Sequence, residues 1–267
     1  MTELWRAVVL GLVQGVTEFL PISSSGHLLL IHSGLGWVEF GLEYDVILHF
    51  ATLLAVIVYF REDLALMTKA SITRDPTLAG ERRLAWLVML ATAATVVIAV
   101  PFAGVIDRAF ADPSWIGAFF LVTSATLVVS EVATRKRLHR VTKLSWQRAV
   151  VVGLAQAVAL FPGVSRAGMT IAAGLGVGLD REQAARFSFL MSIPIILLAN
   201  VRTGLDLMGD PEPFIGIGPA FAGSLVSFVA AYLSIAGLLA FLRRYPLYVF
   251  AAYTALLGTG ILIWQLS

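Results

Sequence analysis

Apolar runs of near-spanning length alternate along this chain with short polar segments. Six of the runs are predicted to cross a bilayer as helices, at about 44–60, 84–106, 115–130, 186–201, 214–242 and 246–266. A crossing helix needs about 20 apolar residues, so the first and fourth have the softest boundaries. Two further apolar stretches, about 3–32 and 145–178, are each interrupted by a polar knot. The first knot runs from Gln14 to His27 and contains Glu18, Pro21, Ser23, Ser24, Ser25 and Gly26; the second runs from Pro162 through Gly163, Ser165 and Arg166 to Thr170. Pro21 and Gly26 are expected to break the helix in the first stretch, and Pro162 and Gly163 in the second. An ionised group at the centre of a bilayer costs roughly 2.5–3.5 kcal/mol on insertion scales. Irregular backbone at that depth persists only when buried in protein or lining a wet cavity. The two stretches are therefore predicted to be helix–loop–helix re-entrant hairpins, and the knots are where chemistry is expected.

Composition sets the class. Hydrophobic residues make up 58% of the 267 positions and charged residues 13%, with a mean hydropathy of +0.87. A soluble domain has about a quarter of its residues charged. The reading is an all-α polytopic integral membrane domain covering 1–267, since a soluble core would have to hide several near-spanning apolar runs. A formal charge of +2 gives no reason to expect a nucleic-acid partner, and the absence of cysteine excludes disulfide and thiol chemistry. The N-terminus lacks a basic region followed by a small-residue cleavage site, so no removable signal is read there.

Positive charge gathers in the predicted loop 61–83 (Arg61, Lys69, Arg74, Arg82 and Arg83), again in 135–148 (Arg135, Lys136, Arg137, Arg140, Lys143 and Arg148), and at Arg243-Arg244. The segments 107–113 and 202–213 are acidic or balanced. The positive-inside rule puts the three basic clusters in the cytoplasm and the other two segments outside, an alternation that agrees with six crossings.

The chain also repeats itself. Arg6-Ala-Val-Val-Leu-Gly-Leu-Val-Gln14-Gly-Val matches Arg148-Ala-Val-Val-Val-Gly-Leu-Ala-Gln156-Ala-Val at eight of eleven positions. Each copy then reaches a phenylalanine (Phe19 or Phe161), a proline and a serine-bearing loop. With the charge-derived orientation, the first hairpin enters from outside and the second from the cytoplasm. Repeats of about 1–130 and 145–267 are thus inverted, and their knots are expected to meet near the midplane.

Gln14 and Glu18, four residues apart, share one face of a helix. Ser23, Ser24 and Ser25 add hydroxyls and backbone N–H groups, and His27 follows at the mouth of the next helix. Opposite them, Ser165, Arg166 and Thr170 lie where a Pro-Gly turn gives way to a helix N-terminus, which favours an anion. Arg166 adds a planar fork suited to phosphate or carboxylate oxygens. Plainer roles exist for each residue. Ser23, Ser25 and Thr17 can simply bond a backbone carbonyl, His32 and His49 read as structural, and Glu18 and Arg166 can be a structural ion pair. The convergence of carboxylate, hydroxyls, imidazole and guanidinium in two repeat-related breaks favours phosphoryl transfer. An arginine and helix-end N–H groups would stabilise the transferring group. Ser24 or His27 could serve as nucleophile or acid–base partner. Glu18 could hold Mg²⁺ or Ca²⁺, or deprotonate a neighbour.

At these residues the chain resembles the undecaprenyl-diphosphate phosphatases, the bacitracin-resistance membrane proteins of bacteria. The resemblance rests on Gln14-x-x-x-Glu18-Phe-Leu-Pro-Ile-Ser-Ser24-Ser-Gly-His27 and on Pro162-Gly-x-Ser165-Arg166-x-Gly-x-Thr170, and it extends over essentially the whole length. It implies hydrolysis of undecaprenyl diphosphate to undecaprenyl phosphate and inorganic phosphate, recycling the lipid carrier of peptidoglycan synthesis. It also implies divalent-cation dependence and a place in the bacterial inner membrane. Carried over, Glu18 is the motif carboxylate, Ser24 and His27 the nucleophile and acid–base pair, and Ser165, Arg166 and Thr170 the diphosphate holders. Ser23 and Ser25 join Gln14 among the substrate-binding candidates. Many members have Glu where this chain has Gln14, which puts a two-carboxylate metal site in question and leaves Glu18, with Gln14, as the metal candidate. The resemblance leaves open which of Ser24 and His27 attacks phosphorus; Ser24 with His27 as its base is the favoured reading.

The partners expected are a polyprenyl diphosphate lipid and the bilayer itself. A homodimer is compatible with the sequence, but nothing in it argues for one. The acidic hairpin entering from outside predicts a site that opens to the periplasm or outer leaflet. The main rival reading is a transporter or flippase of a lipid phosphate, because inverted repeats with midplane breaks also suit transport. A structural scaffold is the third.

Overall fold

A computed structural model describes residues 2–37, 40–134, 144–209 and 216–266, and every regular element among them is helical. Eleven α-helices follow in order: α1 Thr2–Phe19, α2 Ser24–Leu35, α3 Leu42–Tyr59, α4 Arg61–Thr73, α5 Ala79–Ala111, α6 Ile116–Thr134, α7 Trp146–Val158, α8 Arg166–Gly176, α9 Arg181–Gly209, α10 Ile217–Leu242 and α11 Tyr248–Leu266. Six are long and apolar enough to cross a membrane: α3, α5, α6, α9, α10 and α11. The chain is a multi-pass membrane protein. Its outer faces carry large exposed apolar side chains such as Val97, Phe221, Leu233 and Leu256, as expected where lipid replaces water.

Three expectations need correction. The segment 61–83 is not a plain loop, because Arg61–Thr73 forms α4, which buries Met67 and Ala70 and carries Glu62 and Asp63 in its first turn, where the helix dipole favours them. Charged residues also cut the predicted fourth span short. α9 starts at Arg181, because its first two turns find partners: Arg181 with Glu131, Glu182 with Arg243, and Arg186 with Asp63. Gly26, finally, is not a helix breaker. α1 stops at Phe19, ahead of Pro21, and α2 is already under way at Ser24, so Gly26 lies in its first turn. The basic cluster Arg135–Lys143 lies outside the described residues, as do residues 210–213 of the segment 202–213.

The helix–break–helix pairs α1–α2 and α7–α8 sit at corresponding places in the sequence repeat. Trp37, just past α2, packs edge-on to Trp5 and under the Arg6 guanidinium, so α1 begins and α2 ends at one end of the bundle. α7 begins and α8 ends at the other end, where Arg181 at the start of α9 meets Glu131 near the end of α6. The long arms are exchanged between halves: α1 packs on α10 and α7 on α5. Both contacts are backbone-close at equivalent glycines. A Cβ on Gly11 would lie 2.2 Å from the Gly223 carbonyl oxygen, and one on Gly153 would lie 2.2 Å from that of Ala91. Close approach of this kind is how helices associate in lipid, where burial of apolar surface gives no driving force. These arrangements are consistent with an inverted repeat.

Candidate active site

Each half contributes one break, and serine caps the helix that follows in both. In the first, Pro21 cannot donate a backbone hydrogen bond, and Ser23 takes a left-handed φ of 71° that turns the chain into α2. The Ser23 hydroxyl accepts from the Gly26 N–H at 3.4 Å. In the second, Gly163 supplies a φ of 94°, a conformation that suits a residue without Cβ, and the Ser165 hydroxyl accepts from the Gly168 N–H at 3.0 Å. Thr123 on α6 ties this loop down: its hydroxyl donates to the Gly163 carbonyl and accepts from the Ser165 N–H, both at 3.0 Å. The two breaks touch. A Cβ on Gly26 would come within 3.0 Å of Gly163 Cα and 2.8 Å of the Phe120 ring.

Glu18, in the last turn of α1, is the centre of what they enclose. Its side chain is 6% exposed. Oε1 receives the Arg166 guanidinium at 2.6 Å from the far half of the chain. Oε2 accepts from the Ser24 hydroxyl at 2.5 Å and from the Gln14 amide at 3.0 Å. His49 on α3 brings Nε2 to 3.6 Å of the same oxygen, while its Nδ1 meets the Asp45 carbonyl oxygen at 2.7 Å. The Arg166 guanidinium also lies 5.6 Å from the centroid of the Phe19 ring. One of its terminal nitrogens, Nη1, is buried without a hydrogen-bond partner. An acidic and a cationic knot related by the repeat thus meet in a single buried cluster.

The other predicted residues divide. Gln14 is fully buried, with Nε2 on Glu18 and Oε1 without a partner. Turning the amide over would set Oε1 against the carboxylate, so this orientation is the one electrostatics selects. Ser23 and Ser165 act as helix caps, and Ser25 lies 3.4 Å from the Ser23 hydroxyl. The Thr170 hydroxyl points away from Glu18, donating back to the Arg166 carbonyl at 2.7 Å and meeting Ser188 on α9 at 2.6 Å. His27 does not engage the Ser24 hydroxyl, which is taken up by Glu18. Its Nδ1 lies 2.6 Å from the Ser23 carbonyl oxygen and its Nε2 lies 2.7 Å from the Tyr253 hydroxyl on α11.

Thr17 bonds the Val13 carbonyl, and His32 bonds Trp37 and Asp45, in keeping with plain structural roles. His49, for which the sequence favours a structural role, instead faces the cluster. The signal that marks it is an ionisable side chain in the middle of an apolar crossing helix. Thr123 and Tyr253 carried no sequence signal, because threonine and tyrosine are ordinary in membrane helices.

Residues 7–260 match the family described as bacitracin resistance protein BacA. The chain belongs to that family. Similar proteins named undecaprenyl-diphosphatase span it almost end to end. One from Alteromonas mediterranea is 41% identical over 98% of both chains. Another, from Rubrobacter xylanophilus, is 44% identical over 95% of both. A third, from Chlorobaculum tepidum, is 36% identical over 98% of this chain and 96% of its own. In this BacA-family chain the matched stretch contains both breaks and every residue of the Glu18 cluster.

Among the described residues no group of three or more His, Asp or Glu side chains could hold a metal by itself. The donors present suit a different arrangement. Glu18 and Gln14 both carry hard oxygen donors, with Gln14 turning Nε2 and not Oε1 toward Glu18, and Mg²⁺ is commonly held by one or two such groups together with substrate phosphates.

Proposed function

We propose that this protein is an undecaprenyl-diphosphatase of the bacterial inner membrane, hydrolysing the lipid diphosphate to undecaprenyl phosphate and inorganic phosphate and so returning the carrier to peptidoglycan synthesis. The observation that carries this is the Glu18 cluster, in which a buried carboxylate holds a serine hydroxyl on one oxygen and a guanidinium on the other. The names of its full-length relatives supply the substrate.

The geometry supports a division of labour. Ser24 Oγ attacks the terminal phosphorus as its proton passes to Glu18, the group it already donates to. The bond from phosphorus to the bridging oxygen breaks, and undecaprenyl phosphate leaves. Arg166 is the group suited to the charge on the transferred phosphoryl oxygens, with its partnerless Nη1 available to them. Water then attacks the phosphoserine and gives its proton to a phosphoryl oxygen, Glu18 returns its proton to Ser24 Oγ, and phosphate departs. Ser165 acts by shaping the N-terminus of α8, and Thr170 by fixing that helix to α9. A divalent cation held by Glu18 and Gln14 Oε1 together with diphosphate oxygens would add charge neutralisation there.

We place the site toward the periplasmic side. The α1–α2 hairpin starts from the end of the bundle opposite the ion pairs of α4, α6 and α9, and the basic residues of α4 mark that ion-paired end as cytoplasmic. The chain has no cysteine, so Ser24→Cys is a unique label. Modification by an impermeant thiol reagent from outside is expected; modification only from the cytoplasm would reverse the orientation.

The test of function is phosphate release from undecaprenyl diphosphate by detergent-purified protein, with and without Mg²⁺ or Ca²⁺. Cation-dependent release that is lost in folded Ser24→Ala and Arg166→Ala supports the phosphatase. No release from folded wild type would favour movement of the lipid phosphate across the bilayer instead.

A further inference from the structure

Two neighbouring residues of α9 reach Arg166 from opposite ends of its side chain, each through one intermediary. The first is Phe189. Its buried ring meets the Phe19 ring edge-on, with centroids 5.4 Å apart and planes at 84°. Phe19 is buried as well, and the Arg166 guanidinium lies over its face, 5.6 Å from the centroid. A cation is attracted to the face of a desolvated ring, and an edge-to-face neighbour is a preferred way to set that ring's plane. The second is Ser188, which is fully buried. Its hydroxyl lies 2.6 Å from that of Thr170, and Thr170 places its one proton on the Arg166 carbonyl oxygen 2.7 Å away. Ser188 is therefore the donor of the pair.

We propose that Ser188 and Phe189 are positioning residues that aim Arg166. Ser188 fixes its main chain through Thr170, and Phe189 fixes, through Phe19, the face on which its guanidinium rests. The grip stands on the geometry; its consequence for turnover rests on the phosphatase reading above. It meets a need that the ion pair leaves open. Glu18 holds the guanidinium through Nη2, while Nη1 is buried without a partner. One bond at Nη2 lets a planar fork turn about that contact, so the direction of Nη1 has to be set elsewhere. The Phe19 face sets the plane of the fork, and the line Ser188–Thr170–Arg166 carbonyl sets the root of the side chain on α8.

Phe189→Leu keeps an apolar side chain in place but removes the edge contact, and Ser188→Ala removes the donor. The test pairs arginine side-chain nitrogen NMR with phosphate release on the full-length protein in detergent, an Arg166→Lys sample assigning the Arg166 signal. Wild type is expected to show an ordered Arg166 guanidinium, and both variants a more mobile one. In each, kcat is expected to fall about tenfold, short of the 10²-fold that a misplacement of about 1 Å can cost. KM should stay nearly unchanged, as for a contact realised in the transition state. In a Phe19→Leu background, where the supporting face is already gone, Phe189→Leu should cost no more than about twofold further, and Ser188→Ala likewise in a Thr170→Val background. A mere loss of folded protein would instead lower release by the same factor in every background. An equally ordered guanidinium in wild type and both variants would overturn the proposal, as would equal losses with and without the intermediary residue. If wild type released no phosphate, the phosphatase reading would fail by itself, and the arginine spectra would still decide the grip.

Discussion

Replacing Arg166 with alanine removes the one guanidinium that the described residues bring to Glu18 and leaves a carboxylate buried in protein. The side chains of the pair are 12% and 6% exposed, so solvent screens little of the interaction. Breaking a buried pair from one side costs about 3–5 kcal/mol, because the remaining charge keeps its desolvation penalty. Ser24 and Gln14 still donate to Glu18 in the variant, which argues for the lower end, about 3 kcal/mol. At roughly 3 °C per kcal/mol for a chain of this size, the melting temperature in detergent should fall by about 10 °C. Neutralising the other partner as well should reverse most of this. In Glu18→Gln/Arg166→Met no buried charge remains, and methionine keeps an apolar contact with the Phe19 ring. Stability is therefore expected to recover while phosphate release stays lost, since a site without its guanidinium and carboxylate forfeits on the order of 10²–10³ in rate from each. Thermal unfolding and phosphate release on the same preparations give both readings. A double variant as unstable as the single one would refute the desolvation argument, and a single variant with full turnover would reduce the pair to structural glue.

Ser24→Ala should abolish turnover and, by removing a donor to the buried Glu18 carboxylate, cost about 1.5–3 kcal/mol, whereas Ser23→Ala should cost about 1 kcal/mol as a lost helix cap while retaining some activity; parallel melts and assays separate them. Gly26→Ala forces a methyl group to within 2.8 Å of Phe120 and 3.0 Å of Gly163 Cα, so a loss of about 1–3 kcal/mol in unfolding is expected. Glu131→Ala leaves Arg181 and the Leu247 N–H without their shared acceptor at the end of the bundle remote from Trp37, and should destabilise by several kcal/mol without raising KM for the lipid. Gln14→Glu adds a second carboxylate beside Glu18 and should lower the Mg²⁺ concentration needed for half-maximal phosphate release; an unchanged requirement would argue against Gln14 as a cation ligand.

The crossing helices were legible because lipid-exposed sequence must be apolar over about 20 residues, and no soluble fold makes that demand. Reading failed where charge entered a helix with its partner far away in sequence. Arg181, Glu182 and Arg186 look like the outside of a membrane segment until Glu131, Arg243 and Asp63 are known to meet them. The site was legible to the extent that its residues are unusual in lipid. Glu18 and Arg166 could be placed together because neither is tolerable alone at that depth. Spacing along the chain misled for Ser24 and His27. Three residues in the first turn of a helix put the two side chains near one another in sequence terms, but the hydroxyl turns back to Glu18 across the break and the imidazole turns out to α11. Only tertiary packing chooses between those directions.

Superimposing the repeats by their shared Arg6 and Arg148 gives an offset of 142 residues, and that register carries through both breaks. Ser23 falls on Ser165, and each caps the helix after its break through the same i to i+3 bond. Ser24 then falls on Arg166, at the first position of α2 and of α8, and both side chains end on the two oxygens of Glu18. Glu18 itself falls on Leu160, and His27 on Met169, so the second half has no carboxylate or imidazole at those places. One architectural slot, the residue just inside a capped helix, thus presents a hydroxyl from one side and a guanidinium from the other. A symmetric pair of either kind would fail: two arginines would leave nothing to be deprotonated beside the carboxylate, and two serines would leave the buried charge without a counter-ion. Divergence of equivalent positions in the two halves is what turns a repeated helix break into a site with distinct sides.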